Sequence, residues 1–128
     1  PMPPVDAALA NLEENGTDCY EENLRAMIAL VEESGARAVL LTQPYLPMPM
    51  AGASEDLARL DEEGYVPAQR EHNALLLAIA ATTPADLIDL NQATPREPRL
   101  FADPIHMTAE GNRVKAGLIA EGLEMDAR

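Results

Sequence analysis

An aspartate and a histidine lie three residues apart near the end of the chain, as Asp103 and His106. A histidine that acts as a general base needs one ring nitrogen free and the other held by a hydrogen-bond acceptor. A carboxylate in the same short turn can be that acceptor, which fixes the tautomer and stabilises the imidazolium ion as it forms. Pro104 fixes its own φ angle and favours extended geometry at Asp103, so the turn is expected to be stiff. The spacing therefore predicts an acid–base pair.

Other interpretations of the same residues stay open. The chain contains 22 acidic residues, so an acid shortly before a histidine is unsurprising and the turn could be purely structural. Asp103 and His106 could also bind a metal, but no cluster of His and Glu completes a coordination shell around them in the sequence. We therefore expect neither a metal nor another cofactor. The other histidine, His72, lies in or beside an apolar helical stripe, which favours a structural role over a catalytic one.

Composition narrows the class of protein. A chain of 128 residues, 47% of them hydrophobic, can form one domain with a modest core, which must be mainly aliphatic because 3% of the residues are aromatic. The net charge of −13 and the lack of Lys and Arg clusters argue against nucleic acid or an anionic membrane surface as a partner. No run of 18 apolar residues is present, so no membrane span is expected. The single cysteine, Cys19, excludes an internal disulfide.

The elements that would position the pair can be predicted from hydrophobic spacing. Residues 1–17 are expected to form a loop or linker, with a short helical piece around 6–12. Apolar residues then recur at helical spacing and predict a helix over about 18–34, ended by Gly35. The apolar face of this helix consists of Leu24, Met27, Ile28 and Val31.

A strand and a long loop are expected next. Residues 36–42 form a nearly continuous apolar run, which predicts a parallel strand buried on both faces. Residues 44–66 contain several Pro and Gly residues and then an acidic segment, which predicts a surface loop at the carboxyl end of that strand. Open α/β sheets bind their ligands at this end. Met48 and Met50 could line an apolar pocket there or could simply anchor the loop.

A second helix, strand and final helix complete the pattern. Pro67 suits the first turn of the second helix, which fades near residues 82–84. A strand is expected at 85–90 and a polar loop at 91–99. Thr108 is a good N-cap for the last helix, so His106 would stand at a helix entrance. The second helix is expected to turn Ala68, His72, Leu75, Leu76 and Ile79 inward, and the last helix to bury Val114, Leu118, Ile119 and Leu123.

Alternating helices and strands predict an α/β fold, a three-layer α/β/α sandwich around a parallel sheet. Two strands are too few for such a sheet. We therefore expect residues 1–128 to be a single partial domain, in which residues 18–128 are the C-terminal half and the N-terminal part is missing. The start at Pro1 instead of Met also leads us to expect upstream sequence.

Several stretches, taken in order, resemble the C-terminal half of the SGNH (GDSL-type) hydrolases. Residues 103–112 look like that family's last block, D-x-x-H before the terminal helix. Residues 20–44, a helix leading to a strand and Gln-Pro, are similar to it as well. So are residues 72–90, a helix and a strand that ends in an Asp-containing turn. The order and spacing of the three pieces carry the resemblance.

The resemblance implies a flavodoxin-like fold and a carboxylic-ester hydrolase with a serine nucleophile, acting on a small-molecule ester. His106 would be the general base and Asp103 the residue that orients it. The family's G-D-S block, its oxyanion-hole glycine and its G-x-N-D block are absent. Ser34 and Ser54 lack the strand-to-turn setting of a nucleophile, so the chain is expected to be inactive alone. The alternative is a non-catalytic or degenerate SGNH-like domain that binds a carbohydrate or a partner protein.

Overall fold

The computed structural model describes residues 4–48 and 52–125. In chain order, its regular elements are α1 (Val5–Glu14), α2 (Asp18–Glu33), β1 (Val39–Leu41), α3 (Glu55–Leu60), a π-helix (Asp61–Tyr65), α4 (Val66–Ala80), β2 (Asp86–Ile88), α5 (Leu90–Ala93), a 3₁₀ helix (Pro98–Leu100) and α6 (Ala109–Met125).

The molecule is mainly helical. Helix accounts for 64% of the structure, and in the described ranges β1 and β2 form one two-stranded parallel sheet. Its pairs are Val39 with Asp86, Leu40 with Leu87 and Leu41 with Ile88. The expected three-layer α/β/α sandwich is therefore wrong. Each strand has three residues, and much of the chain between them is helix. Alternation along the chain does not by itself determine how many strands a sheet contains.

The two predicted strands are present but short. Leu40 is buried, as the apolar run predicts, whereas Leu41 is 38% exposed. The prediction that β1 is buried on both faces is therefore wrong for its last residue. A guanidinium–carboxylate ion pair between Arg37 and Asp86 joins the two strands near their starts.

The helix predicted over 18–34 is confirmed as α2. Gly35 follows it with a φ angle of +77°, a left-handed conformation that glycine adopts without steric cost. The predicted apolar face of α2 is only partly buried, because Ile28 is buried but Met27 is 60% exposed.

The loop predicted over 44–66 is wrong in its second half, because α3, the π-helix and α4 follow one another without a break. The Ser54 hydroxyl caps α3 by accepting a hydrogen bond from the Leu57 N–H at 3.2 Å. Acidic residues at 55 and 56 then lie in the first turn, where the helix dipole favours negative charge. The acidic composition that predicted a loop is thus the composition of a helix start.

Pro67 lies in the first turn of α4, as predicted. A proline inside a regular α-helix lacks one N–H donor, and its ring clashes with the carbonyl four residues back. The π-helix immediately before it widens the backbone spiral, and the Val66 N–H bonds to the carbonyl of Asp61. This wider turn lets the chain pass through Pro67 without ending the helix.

The core lies between α2, α4 and the sheet. Leu76 and Ile79 of α4 are buried, and the other predicted inward residues of that helix are half-buried. The central cluster of buried side chains contains Ile28, Leu40, Leu76, Ile79 and Ala85. Aliphatic side chains therefore form this cluster, as the composition predicts.

The short helix expected around residues 6–12 is present as α1 and packs on α3 and the π-helix. Arg59 donates a hydrogen bond to the Asp6 carboxylate at 2.9 Å across this contact. Gly64 allows the close approach, since a Cβ there would lie 2.8 Å from the Leu12 Cδ1 atom.

The last helix is held close to the 3₁₀ helix. A Cβ on Gly111 would overlap the carbonyl oxygen of Leu100. Val114, Leu118 and Ile119 are half-buried, but Leu123 is 41% exposed, so the prediction that α6 buries Leu123 is wrong.

Gly111→Ala should therefore lower the free energy of unfolding by about 3 kcal/mol, because the methyl group meets backbone that cannot rotate away. Gly117→Ala in the same helix is the matched control. A Cβ there meets nothing within 4 Å, so the change should raise stability by about 1 kcal/mol through helix propensity. Urea denaturation measures both changes. Equal effects of the two substitutions would contradict the close packing of Gly111.

Candidate functional site

Backbone hydrogen bonds close the turn that contains Asp103 and His106. Phe101 and Met107 form an isolated antiparallel bridge, and the Ala102 N–H donates to the His106 carbonyl at 2.7 Å. The Thr108 hydroxyl caps α6 by accepting from the Gly111 N–H at 3.1 Å, as predicted. The turn is therefore anchored at the entrance of the last helix.

One carboxylate organises this turn. Asp103 Oδ1 accepts hydrogen bonds from the backbone N–H groups of Ile105 at 3.0 Å and His106 at 2.8 Å. Asp103 Oδ2 lies 2.7 Å from Nδ1 of the His106 ring. An ionised carboxylate only accepts hydrogen bonds, so Nδ1 carries the proton and Nε2 is the ring nitrogen left for chemistry. The hydrogen bond predicted from the sequence is thus present.

The ring is open to reactants. The His106 side chain is 73% exposed, while the Asp103 side chain is 33% exposed. The carboxylate is thus the more sheltered partner, and the imidazole projects from it. An oriented imidazole that solvent and a substrate can reach has the geometry of a general base.

Opposing effects set the pKa of Asp103. Partial burial is the largest single effect and raises this pKa. Hydrogen bonds from the backbone of His106 and Ile105 and from the His106 ring lower it and together outweigh burial. The pKa of Asp103 therefore lies below its ordinary value, and the carboxylate is available as an acceptor.

A buried amide positions the turn from α4. Asn73, which is 4% exposed, accepts from the Gln43 N–H at 2.8 Å and donates to the Gln43 carbonyl at 2.9 Å. The Gln43 side chain in turn donates to the Ile105 carbonyl at 3.2 Å. A second link runs from the Leu46 N–H to the Pro104 carbonyl at 2.8 Å. Sequence reasoning missed Asn73 and Gln43, because 30 residues separate them and hydrophobic spacing does not report polar pairs.

The residues that follow β1 and β2 meet at one edge of the sheet. The Thr42 hydroxyl donates to the Asp89 carboxylate at 2.7 Å and accepts from the Asn91 N–H at 2.9 Å. These hydrogen bonds therefore fix the chain after β1 at Thr42, immediately before Gln43, which contacts the turn. Tyr45 adds a further anchor, with its hydroxyl accepting from Arg70 at 2.9 Å and the Arg96 guanidinium 5.6 Å from its ring centre.

A cavity of about 580 Å³ adjoins this region. Met48, Val66 and Asp61 are among its lining residues, which favours the pocket interpretation of Met48 over that of a simple loop anchor. Met50 lies outside the described residues. Burial raises the pKa of Asp61, and the negative charge of Asp103 raises it further. Sequence reasoning missed Asp61 because it placed this residue in a loop.

Both serines of the sequence lie at helix ends. The Ser34 hydroxyl donates to the Val31 carbonyl at 2.6 Å at the end of α2, before β1 begins. Ser54 caps α3. The pair at Asp103 contacts the chain after β1, at the other end of the strand from Ser34. Both serine hydroxyls are therefore engaged in hydrogen bonds at helix ends.

His72 has its own partners within the helices. Its Nδ1 donates to the Ala68 carbonyl at 2.8 Å, one helical turn back. Its ring meets the Tyr20 ring edge-on, with 5.0 Å between ring centres. These contacts favour the structural role predicted for it.

No group of three or more His, Cys, Asp or Glu side chains comes together in the described ranges in a way that could hold a metal ion. Within the same ranges, no helix combines the length and apolarity needed to cross a membrane.

The chain matches no family model, and neither a curated protein nor a solved structure shows significant similarity to it.

The lowered pKa of Asp103 predicts a pH dependence of stability. A carboxyl whose folded pKa lies below its unfolded value stabilises the fold above the unfolded pKa, near 3.9, and loses that contribution as pH falls through the folded pKa. Between about pH 5 and pH 2, the native chain should therefore lose stability more steeply than Asp103→Asn. Urea unfolding at several pH values measures the difference. Parallel curves would show that Asp103 has no special role.

Proposed function

We propose that Asp103 and His106 are the orienting carboxylate and the general base of a serine-dependent hydrolase of small-molecule esters. The single observation that supports this role is the 2.7 Å contact from Asp103 Oδ2 to His106 Nδ1 beneath an exposed ring. The resemblance of residues 103–112 to the last SGNH block points to the same two roles. The sandwich expected with that resemblance is absent, so the proposal depends on the local geometry.

The chemistry would follow from the free Nε2 atom. As a serine hydroxyl attacks the ester carbonyl, Nε2 of His106 takes its proton, and the imidazolium ion then gives that proton to the departing alcohol. Water repeats the cycle on the acyl-enzyme and releases the acid. Asp103 holds the tautomer throughout and stabilises the positive charge on the ring.

The nucleophile has to come from outside this chain. The sequence contains two serines, Ser34 and Ser54, and both serve helix ends. The hydroxyl of Thr108, close to His106 in the sequence, donates to the Arg99 carbonyl at 3.0 Å and caps α6. We therefore assign the reactive hydroxyl to a serine that another polypeptide segment supplies.

The cavity beside Asp61 is suited to the acyl part of such an ester. Its wall includes Pro47, Met48 and Val66, which present apolar surface to a short acyl chain. Asp61 lines this cavity, and the negative charge of Asp103 raises the pKa of Asp61, so the two carboxyl groups interact.

In the enzyme assembled with its serine, His106→Ala should lower kcat for p-nitrophenyl acetate by about 10⁴- to 10⁶-fold, because no base remains to take the hydroxyl proton. Asp103→Asn should cost about 10- to 100-fold less, since an imidazole without its partner keeps part of its basicity. Steady-state hydrolysis measures both.

Asp56→Asn is the matched control for loss of an acidic side chain, because Asp56 is exposed in the first turn of α3. Its kcat should equal that of the native enzyme. Ester hydrolysis that survives His106→Ala would overturn the proposed role of the pair.

The isolated chain should not react with a fluorophosphonate probe, which labels only activated serines. Intact-mass spectrometry after incubation should show the unmodified chain. An adduct on Ser34 or Ser54 that disappears in His106→Ala would contradict the assignment of the nucleophile to another segment.

A further inference from the structure

A separate cavity of about 320 Å³ lies between α2, α4 and the end of β1. We call it the neutral cavity. Its rim and walls include Tyr20, Gln43, Tyr65, Gln69, His72 and Ile105. Its volume falls at the small end of the range for ligand pockets, enough for one compact ring. Ile105 lines the neutral cavity and immediately precedes His106, so the cavity lies close to the turn that contains the pair.

Among the described residues, the lining of the neutral cavity contains no Asp, Glu, Lys or Arg side chain, and His72 is its one titratable ring nitrogen base. In a chain with 24% charged residues and a net charge of −13, none of the described residues that line it is Asp, Glu, Lys or Arg. A phosphate or carboxylate would find no Lys or Arg, and it would be repelled by the field of the whole chain. A bound cation would find no carboxylate. The lining therefore selects an uncharged ligand.

Two of the chain's three tyrosines line this cavity. Tyr20 is 40% exposed and Tyr65 is 48% exposed, so neither ring is used mainly to fill the core. A tyrosine ring offers an apolar face together with a polar hydroxyl group. Tyr65 is the last residue of the π-helix, a rare turn that is often found at functional sites.

Gln43 and Asn73 in the wall are hydrogen-bonded to other residues, but other polar groups of the wall are available to a ligand. No described residue forms a hydrogen bond with the Gln69 amide or with the hydroxyls of Tyr20 and Tyr65. The Nδ1 atom of His72 is held by Ala68, which leaves its Nε2 as an acceptor. Amides and hydroxyls both donate and accept, so the wall suits a ligand with many hydroxyl groups.

We propose that the neutral cavity binds a single uncharged sugar ring. The apolar C–H face of a pyranose would stack on the tyrosine rings, and its hydroxyls would bond to Gln69 and to the His72 Nε2 atom. Leu41 and Leu76 supply apolar floor beneath it. The site does not depend on the proposed ester hydrolysis, because binding needs neither a serine nor the acid–base pair.

The test is an NMR titration of the ¹⁵N-labelled 128-residue chain with methyl β-D-glucopyranoside, methyl β-D-galactopyranoside and methyl β-D-xylopyranoside. At least one of these neutral probes should shift the amide signals of Gln69, His72 and Ile105 saturably. A ligand of this size should bind with a dissociation constant of about 1 to 10 mM. Glucuronate, the charged comparison, should bind at least about 10-fold more weakly, because its carboxylate finds no basic partner.

Variants separate stacking from hydrogen bonding. Tyr65→Ala should weaken binding by at least about 10-fold, and Tyr65→Phe, which keeps the ring, by less than about 5-fold. Leu77→Ala is the control, because Leu77 is exposed on α4 and is not among the residues that line the cavity. Its affinity should equal that of the native chain. The amide spectrum of each variant shows whether it has folded.

Three results would overturn the proposal. These are the absence of saturable shifts with all three neutral sugars, equal binding by Tyr65→Ala, and tighter binding of adenosine, a flat neutral ring system. No ester takes part in the titration, so its failure would leave the hydrolase proposal standing, and loss of hydrolysis would leave sugar binding standing.

Discussion

The candidate site depends on one carboxylate, that of Asp103, which accepts hydrogen bonds from three donors. The same Asp103 side chain receives both backbone N–H groups of its own turn and the ring of His106. Turn geometry and ring orientation are therefore not independent, because the group that closes the turn also holds the imidazole. Three hydrogen bonds to one ionised group are stronger than bonds between neutral partners. They outweigh partial burial and keep the pKa of that carboxyl low.

A buried polar contact between Asn73 and Gln43 holds the turn that contains Asp103 and His106. Asn73 pairs with both backbone groups of Gln43, and the Gln43 side chain reaches the carbonyl next to His106. A buried amide without partners would be costly, whereas a satisfied one specifies a single arrangement. The consequence is a continuous set of hydrogen bonds from the centre of α4 to the exposed imidazole. The hydrophobic core between α2 and α4 supports the site through this set.

The helical segment from residue 55 to residue 80 shapes both cavities. Its π-helix begins at Asp61, which faces the cavity lined by Met48, and ends at Tyr65, which faces the neutral cavity. Pro67 follows at the point where a regular helix would have met a clash. One local departure from α-helical geometry thus accommodates a proline and places two chemically different residues at two openings. The cavity lined by Met48 includes the acidic residues Asp61 and Glu62, whereas no Asp or Glu is among the described residues that line the neutral cavity.

The local sequence determined the features that involve neighbouring residues. Gly35 ends α2, Thr108 caps α6 and Asp103 bonds to His106, because each of these contacts spans only a few residues and is set by side-chain chemistry and backbone preference. The tertiary structure alone decided the rest. It exposed Met27 and limited the sheet to two strands in the described ranges. It also joined Asn73 to Gln43 and brought Asp61 near Asp103, contacts between residues 30 or more positions apart that no periodic pattern reports. Hydrophobic spacing identifies which residues can be buried, but packing partners determine which of them are buried.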